Sequence, residues 1–112
     1  MLKLTSDEKK RFKQVERLIG YSFRKQALLK RALTHKSFAN ENKLAPEEQN
    51  ERLEFLGDAV LELSVSELLM EKYPTYSEGD LSKLRAAIVN EKQLANFARE
   101  FRLGDLLYLG RG

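Results

Sequence analysis

The stretch from Asn50 to Lys72, NERLEFLGDAVLELSVSELLMEK, constrains this chain more than any other. It is too long and too poor in turn residues to be a strand. Leu53, Phe55, Leu56, Ala59, Val60, Leu61, Leu63, Val65, Leu68, Leu69 and Met70 lie almost all the way round it when wound as a helix. A helix that is apolar on every side is ordinarily buried, which predicts a central helix from about Pro46 or Glu47 to Lys72. Pro74 ends it, because the residue before a proline is held out of the helical region. Yet Glu51, Glu54 and Asp58 interrupt the apolar run at intervals of three and four residues. That spacing stacks the three carboxylates on one face, with Glu62 continuing the row.

The remaining segments are also helical in pattern. Ser6 followed by Asp7 and Glu8 reads as a helix start, and Phe12, Val15 and Ile19 form a stripe ending at Gly20. A second helix is expected over about residues 25–34, with Ala27, Leu28, Ala32 and Leu33 facing inward. FANENKLAPEEQ (residues 38–49) reads as the main loop. Ser77 with Asp80, and Asn90 with Gln93, resemble cap pairs opening two further helices, the first reaching about Asn90 and the second stopped by Gly104. Neither alternating β-branched residues nor an Asn-Gly or Asp-Gly hairpin turn occurs, so an all-α domain is predicted.

At 112 residues the chain holds one domain, 1–112. It has no cysteine, which removes disulfides and thiolate metal sites and fits a reducing cytoplasm. No apolar run approaches a membrane span, and the first residues lack the apolar core of a signal peptide, so a soluble cytoplasmic protein without a membrane partner is expected. The net charge of +3 hides an asymmetry. Between Lys9 and Lys36 only Glu16 is acidic among ten bases, whereas between Glu41 and Asp80 the acids outnumber Lys43, Arg52 and Lys72 several-fold. Such a division reads as a polyanion-binding surface beside a cation-binding one, or as solvated faces of opposite sign attracting each other.

Stacked carboxylates on a buried helix are costly: a few tenths of a kcal/mol per like-charge pair when exposed, and several kcal/mol per ion when buried without a partner. Two arrangements relieve this. A hard divalent cation such as Mg²⁺ takes oxygen ligands, or basic side chains such as Arg52 and Arg85 pair with the acids. Gly57, in mid-helix, costs about 1 kcal/mol relative to Ala and suggests a close approach to the backbone there.

NERLEFLGDAVLEL resembles the signature of the ribonuclease III family, the double-strand-specific endoribonucleases. RALTHKSF upstream, YPTYSEGDLSKLRAAIVN downstream and the closing LGDLLYLGRG are similar to the flanking segments of that endonuclease domain, in the same order. The resemblance runs from about Ile19 onward. It implies the family's all-helical endonuclease fold, incomplete at the C-terminus, and a double-stranded RNA substrate in RNA processing, ribosomal RNA included. It implies Mg²⁺, replaceable by Mn²⁺, at the positions of Glu54 and Asp58, with no small-molecule cofactor. Catalysis is assigned to Asp58, supported by Glu51, and to Glu78, which in the family's dimer approaches the site of the opposite subunit. Glu78 also reads simply as a first-turn acid on a helix dipole.

The reaction implied is hydrolysis by in-line attack of water on phosphorus, leaving 5′-phosphate and 3′-hydroxyl ends. A single histidine, His35, argues against the alternative route through the ribose 2′-hydroxyl, which commonly uses two. His35 and Ser37 are expected to steady the carboxylates from behind. Phe55, close to the acid face, reads either as packing inside the protomer or, by the resemblance, as the anchor of a homodimer. The family completes its metal site with an Asp and a Glu on a later helix that these 112 residues do not contain. The double-stranded-RNA-binding domain is missing too, so the chain is expected to be inactive alone. The alternative is a non-catalytic RNA-binding or dimerisation module of the same fold.

Overall fold

The structure, a computed structural model, describes residues 3–111. Six helices follow in order: α1 (Ser6–Ile19), α2 (Gln26–Leu33), α3 (Lys36–Glu41), α4 (Glu51–Lys72), α5 (Glu78–Ile88) and α6 (Glu91–Glu100). Short 3₁₀ turns cover Pro46–Glu48 and Leu103–Leu106. The described residues contain no strand, only an isolated parallel bridge between Thr34 and Tyr108. The all-α expectation is therefore met.

The cap chemistry accounts for most boundaries. α1 starts one residue earlier in function than its sequence suggests. Thr5, not Ser6, is the cap: its Oγ1 accepts the Glu8 N–H at 3.1 Å while Glu8 Oε1 accepts the Thr5 N–H at 3.2 Å. Gly20 closes the helix at φ 67°, in the left-handed region that glycine adopts without penalty. Ser77 and Asn90 cap α5 and α6 as expected, accepting from the N–H groups of Asp80 and Gln93. α6 ends at Glu100 rather than at Gly104, because Arg102 turns into the left-handed region and a 3₁₀ turn follows.

Two expectations fail around the loop at 38–49. Lys36–Glu41 is a helix, capped by the His35 side chain, and α4 begins only at Glu51 because Pro46–Glu48 forms its own 3₁₀ turn. The inward face of α2 is also different. Leu29 and Leu33 are buried, whereas Ala27, Leu28 and Ala32 are exposed.

The core gathers Phe12 and Val15 of α1, Leu29 and Leu33 of α2, and Leu106 of the final turn, with Leu4, Phe23, Leu107 and Tyr108 packed around them. A polar clasp closes it. Glu8, already part of the α1 cap, accepts the Tyr108 hydroxyl at 2.5 Å and pairs with Lys30 at 2.9 Å. The Arg11 guanidinium lies 4.2 Å from the centre of the Tyr108 ring. The Tyr108 hydroxyl, helped by Lys30 and the Thr5 N–H, holds the Glu8 carboxyl down at about 2 against the opposing pull of burial. Burial and the neighbouring carboxylate push the Tyr108 hydroxyl above its usual range.

α4 and α5 form an antiparallel hairpin, with Arg85 Nη1 donating to Ser66 Oγ at 2.8 Å. Contrary to the expectation of a central buried helix, α4 is exposed along most of its length, and Leu69 is its only buried residue. The physical reason is a shortage of cover: among the described residues α5 is the main element packed on it. The extents are 50 × 28 × 24 Å and the accessible surface is 9159 Å². A compact monomer of 13.0 kDa would expose about 6,300 Å².

Candidate active site: a carboxylate pocket at the start of α4

The first turn of α4 is fastened to the end of α2. The Asn50 N–H donates to Thr34 O at 2.9 Å and its Nδ2 to Ala32 O at 2.9 Å, while Arg31 Nε donates to Gln49 O at 3.2 Å. Asn50 and Gln49 therefore convert the hydrogen-bonding groups at the end of one helix into a mount for the next. On this mount Glu51, Glu54 and Asp58 form a row at the mouth of a cavity of about 450 Å³, lined also by His35, Lys36, Asn50 and Phe55. The sequence pattern brought the three acids together correctly. It missed Lys36 and Asn50, for which the signal was only their adjacency to His35 and Glu51.

All three acids are exposed, so the burial expected for them is corrected along with that of the helix. Charge pairing does not satisfy them. Among the described residues the only ion pairs are Lys30–Glu8 and Arg102–Asp105, so neither Arg52 nor Arg85 pairs with the acids. Nor does either pair join the basic segment 9–36 to the acidic segment 41–80. Glu51 has one weak polar neighbour, Gln49 Nε2 at 3.5 Å. Three unpaired carboxylates one turn apart repel one another and present hard oxygen donors, the ligand type a divalent cation such as Mg²⁺ takes. The donor chemistry fits such an ion, but the described residues hold no group of three or more His, Cys, Asp or Glu side chains disposed to bind one unaided.

The other predicted residues divide. His35 lines the pocket, and Ser37 stands behind it with Oγ 2.7 Å from His35 Nδ1. Phe55 is 81% exposed, so it does not pack inside the protomer; it forms the wall between the carboxylate pocket and a second hollow of about 900 Å³ that includes Arg31, Arg52, Leu53 and Leu56. Gly57 has open space where a side chain would stand, and the close approach expected there is not made within this chain. Glu78 is not brought to the pocket. It opens α5, its Oε1 accepting from Ser82 Oγ at 3.1 Å, and the antiparallel hairpin places it beyond the far end of α4, roughly 20 Å of helix from Asp58.

The basic segment is partly consumed by the fold, since Lys30, Arg11 and Arg31 serve the clasp and the mount. Lys9, Lys10, Lys13, Arg17, Arg24, Lys25 and Lys36 remain exposed.

With this geometry in hand, comparison with known proteins is decisive. The Ribonuclease-III-like family model matches residues 25–112, most of the chain. The chain belongs to the ribonuclease III family. It is 56% identical over 101 residues to the ribonuclease 3 proteins of Bacillus cereus strain AH187 and Bacillus anthracis strain A0248, a match covering 90% of this chain and 41% of each relative. It thus spans about two fifths of the length of these curated relatives. Its fold is that of the ribonuclease III nuclease domain from Campylobacter jejuni, with a TM-score of 0.77 and 48% identity over 89% of this chain and 66% of that one. That structure was described for flexibility in a region involved in dimer formation. A second structure of the Campylobacter jejuni domain matches with a TM-score of 0.74 over 88% of this chain.

Proposed function

We propose that the chain is the N-terminal part of the endonuclease domain of a double-strand-specific endoribonuclease that requires Mg²⁺ or Mn²⁺. The observation that carries this reading is the row of Glu51, Glu54 and Asp58, unpaired and open at one pocket of a ribonuclease III fold. Glu54 and Asp58 hold the cation and Glu51 supports them. When bound there, the cation would supply positive charge for activating water and for stabilising a departing 3′-oxygen, the chemistry that leaves 5′-phosphate and 3′-hydroxyl ends.

The remaining roles fall to this chain's own groups. Lys36 at the pocket rim attracts the phosphate. The exposed bases of α1 and of the segment after it bind the backbone of a duplex whose base edges are hidden, so binding falls steeply with salt. Glu78 is assigned to a partner's site rather than its own, a reading supported by its distance from the pocket at the far end of the hairpin. A homodimer built on Phe55 is supported by the exposure of that ring and of Leu56, Val60, Leu63, Leu68 and Met70 along α4, since contiguous exposed apolar surface marks an interaction site. The non-catalytic alternative has less support, because the three acids are intact. Two or three carboxylates leave the cation weakly held, so these 112 residues alone do not cleave.

The test is a Mn²⁺ titration followed by paramagnetic broadening, run beside a cleavage assay on double-stranded RNA. Broadening centred on Glu54 and Asp58, reduced at least tenfold in apparent affinity by Asp58→Asn, is the expected result. Mn²⁺ binding elsewhere would overturn the site, and robust cutting by this chain would overturn its inactivity.

A further inference from the structure

The segment Thr34–Ser37 and the segment Tyr108–Gly110 lie against each other, and their contact reaches the carboxylate pocket through His35. Tyr108 N–H donates to Leu33 O at 2.8 Å and His35 N–H to Tyr108 O at 2.9 Å, the two bonds of the isolated bridge. Two residues on, the Gly110 N–H donates to Ser37 Oγ at 2.8 Å. Ser37 Oγ in turn lies 2.7 Å from His35 Nδ1, and the Ser37 N–H points at the same nitrogen at 3.1 Å.

The direction of this chain of bonds is determined by its ends. A backbone N–H can only donate, so His35 Nδ1 must offer its lone pair to Ser37 N–H. Because Nδ1 accepts from the Ser37 N–H and so carries no proton, the 2.7 Å contact with Ser37 Oγ is made by the hydroxyl proton, donated to Nδ1 while Oγ accepts from Gly110. A neutral imidazole whose Nδ1 accepts carries its proton on Nε2. Glycine is required at the far end. A Cβ on residue 110 would stand 2.7 Å from Ser37 O and 2.8 Å from Ser37 C and Cβ, and backbone atoms cannot yield as a flexible side-chain tip can.

We propose that Gly110 and Ser37 are positioning residues that lock His35 as its Nε2–H tautomer, so that the ring presents a fixed hydrogen-bond donor to a phosphate oxygen of RNA held beside Glu51, Glu54 and Asp58. The substrate half of this statement rests on the reading given under Proposed function; the tautomer lock does not. A ring nitrogen that carries its proton has no lone pair to offer, so in this tautomer Nε2 does not compete with the carboxylates for a cation. It complements Lys36, which brings charge to the same pocket without a fixed direction. His35 thereby acts on the substrate's orientation, whereas the acids act on its charge.

His35 is the only histidine, so long-range ¹H–¹⁵N correlation spectra of the labelled chain at neutral pH report its tautomer without ambiguity. A single Nε2–H pattern is expected in the parent chain and in Ser37→Thr, which keeps the hydroxyl. Ser37→Ala keeps the 3.1 Å bond from the backbone N–H but removes the shorter one from the hydroxyl, so the pattern should loosen to a mixture while circular dichroism stays unchanged. Gly110→Ala should do the same where it folds. An Nδ1–H pattern or a mixture in the parent chain, or an unchanged pattern in Ser37→Ala, would overturn the lock. Adding a short RNA duplex with Ca²⁺ should then shift the His35 Nε2 resonance. Duplex binding that leaves Nε2 unmoved would overturn the substrate contact. Absence of any duplex binding would remove the RNA reading and this contact with it, leaving the lock standing.

Discussion

The region built from α1, α2 and the tail at 103–111 differs from the α4–α5 hairpin in what covers it, although both are rich in apolar residues. In the first, Phe12 is 1% exposed and polar contacts tie the segments together, from the Thr5 cap to the Glu8–Tyr108 clasp. In the second, Phe55 is 81% and Leu63 69% exposed, and polar contacts with the remainder of the chain lie chiefly at the Gln49–Asn50 mount. The same residue types therefore do two kinds of work. Those in the first region hold this chain together, while those in the second are surface offered to something else. Hydrophobicity alone does not tell these apart; the partner supply does.

The comparison breaks most visibly under truncation of a phenylalanine on each side. Phe12→Ala should cost about 3–5 kcal/mol in urea unfolding. Phe55→Ala should leave monomer stability within about 0.5 kcal/mol while weakening self-association in sedimentation by on the order of tenfold or more. Comparable losses of monomer stability in both would erase the distinction.

Acid tests the clasp next. Glu8 is held well below its ordinary value, at about 2. Its contribution is thus fully present above about pH 4.5 and is lost as the pH falls from there toward 2. Glu8→Gln should lower stability at pH 7 by about 1.5–3 kcal/mol and flatten that part of the pH–stability curve, as followed by thermal melts. A variant that keeps the wild-type slope would place the acid sensitivity elsewhere.

The smallest effect sharpens the other side. Gly57 meets nothing within 4 Å, so Gly57→Ala should stabilise α4 by about 0.5–1 kcal/mol in the isolated chain. The same methyl should weaken self-association if a second copy covers that face. A destabilised chain would mean that Gly57 is constrained within the protomer after all.

Much of this was legible from residue order, and the failures have identifiable causes. Pro74, Ser77 and Asn90 act through local sterics and local hydrogen bonds, so their helices lie close to where the sequence places them. α3 was hidden because its cap is a histidine, outside the usual Ser, Thr, Asp and Asn set, and its six residues are too few to show a period. The choice between Leu28 and Leu29 on α2 depends on where Phe12 and Leu106 sit, which local pattern does not encode. At the site, the acid row followed from spacing alone, whereas its exposure did not, because a periodicity rule assumes that the cover comes from the same chain. The contact from Gly110 to Ser37 spans 73 residues and left no local trace.

The Glu8–Tyr108 contact, 100 residues long, also sets a timetable. Leu106 and Tyr108 complete the core around Phe12 and Leu33, so α1 and α2 leave the ribosome without their final partners. At 5–20 residues per second, the wait from Leu33 to Leu106 lasts roughly 4–15 s. Through that interval α1 and α2 are a sticky helical pair, and the arrival of Leu106 and Tyr108 converts them into a closed core.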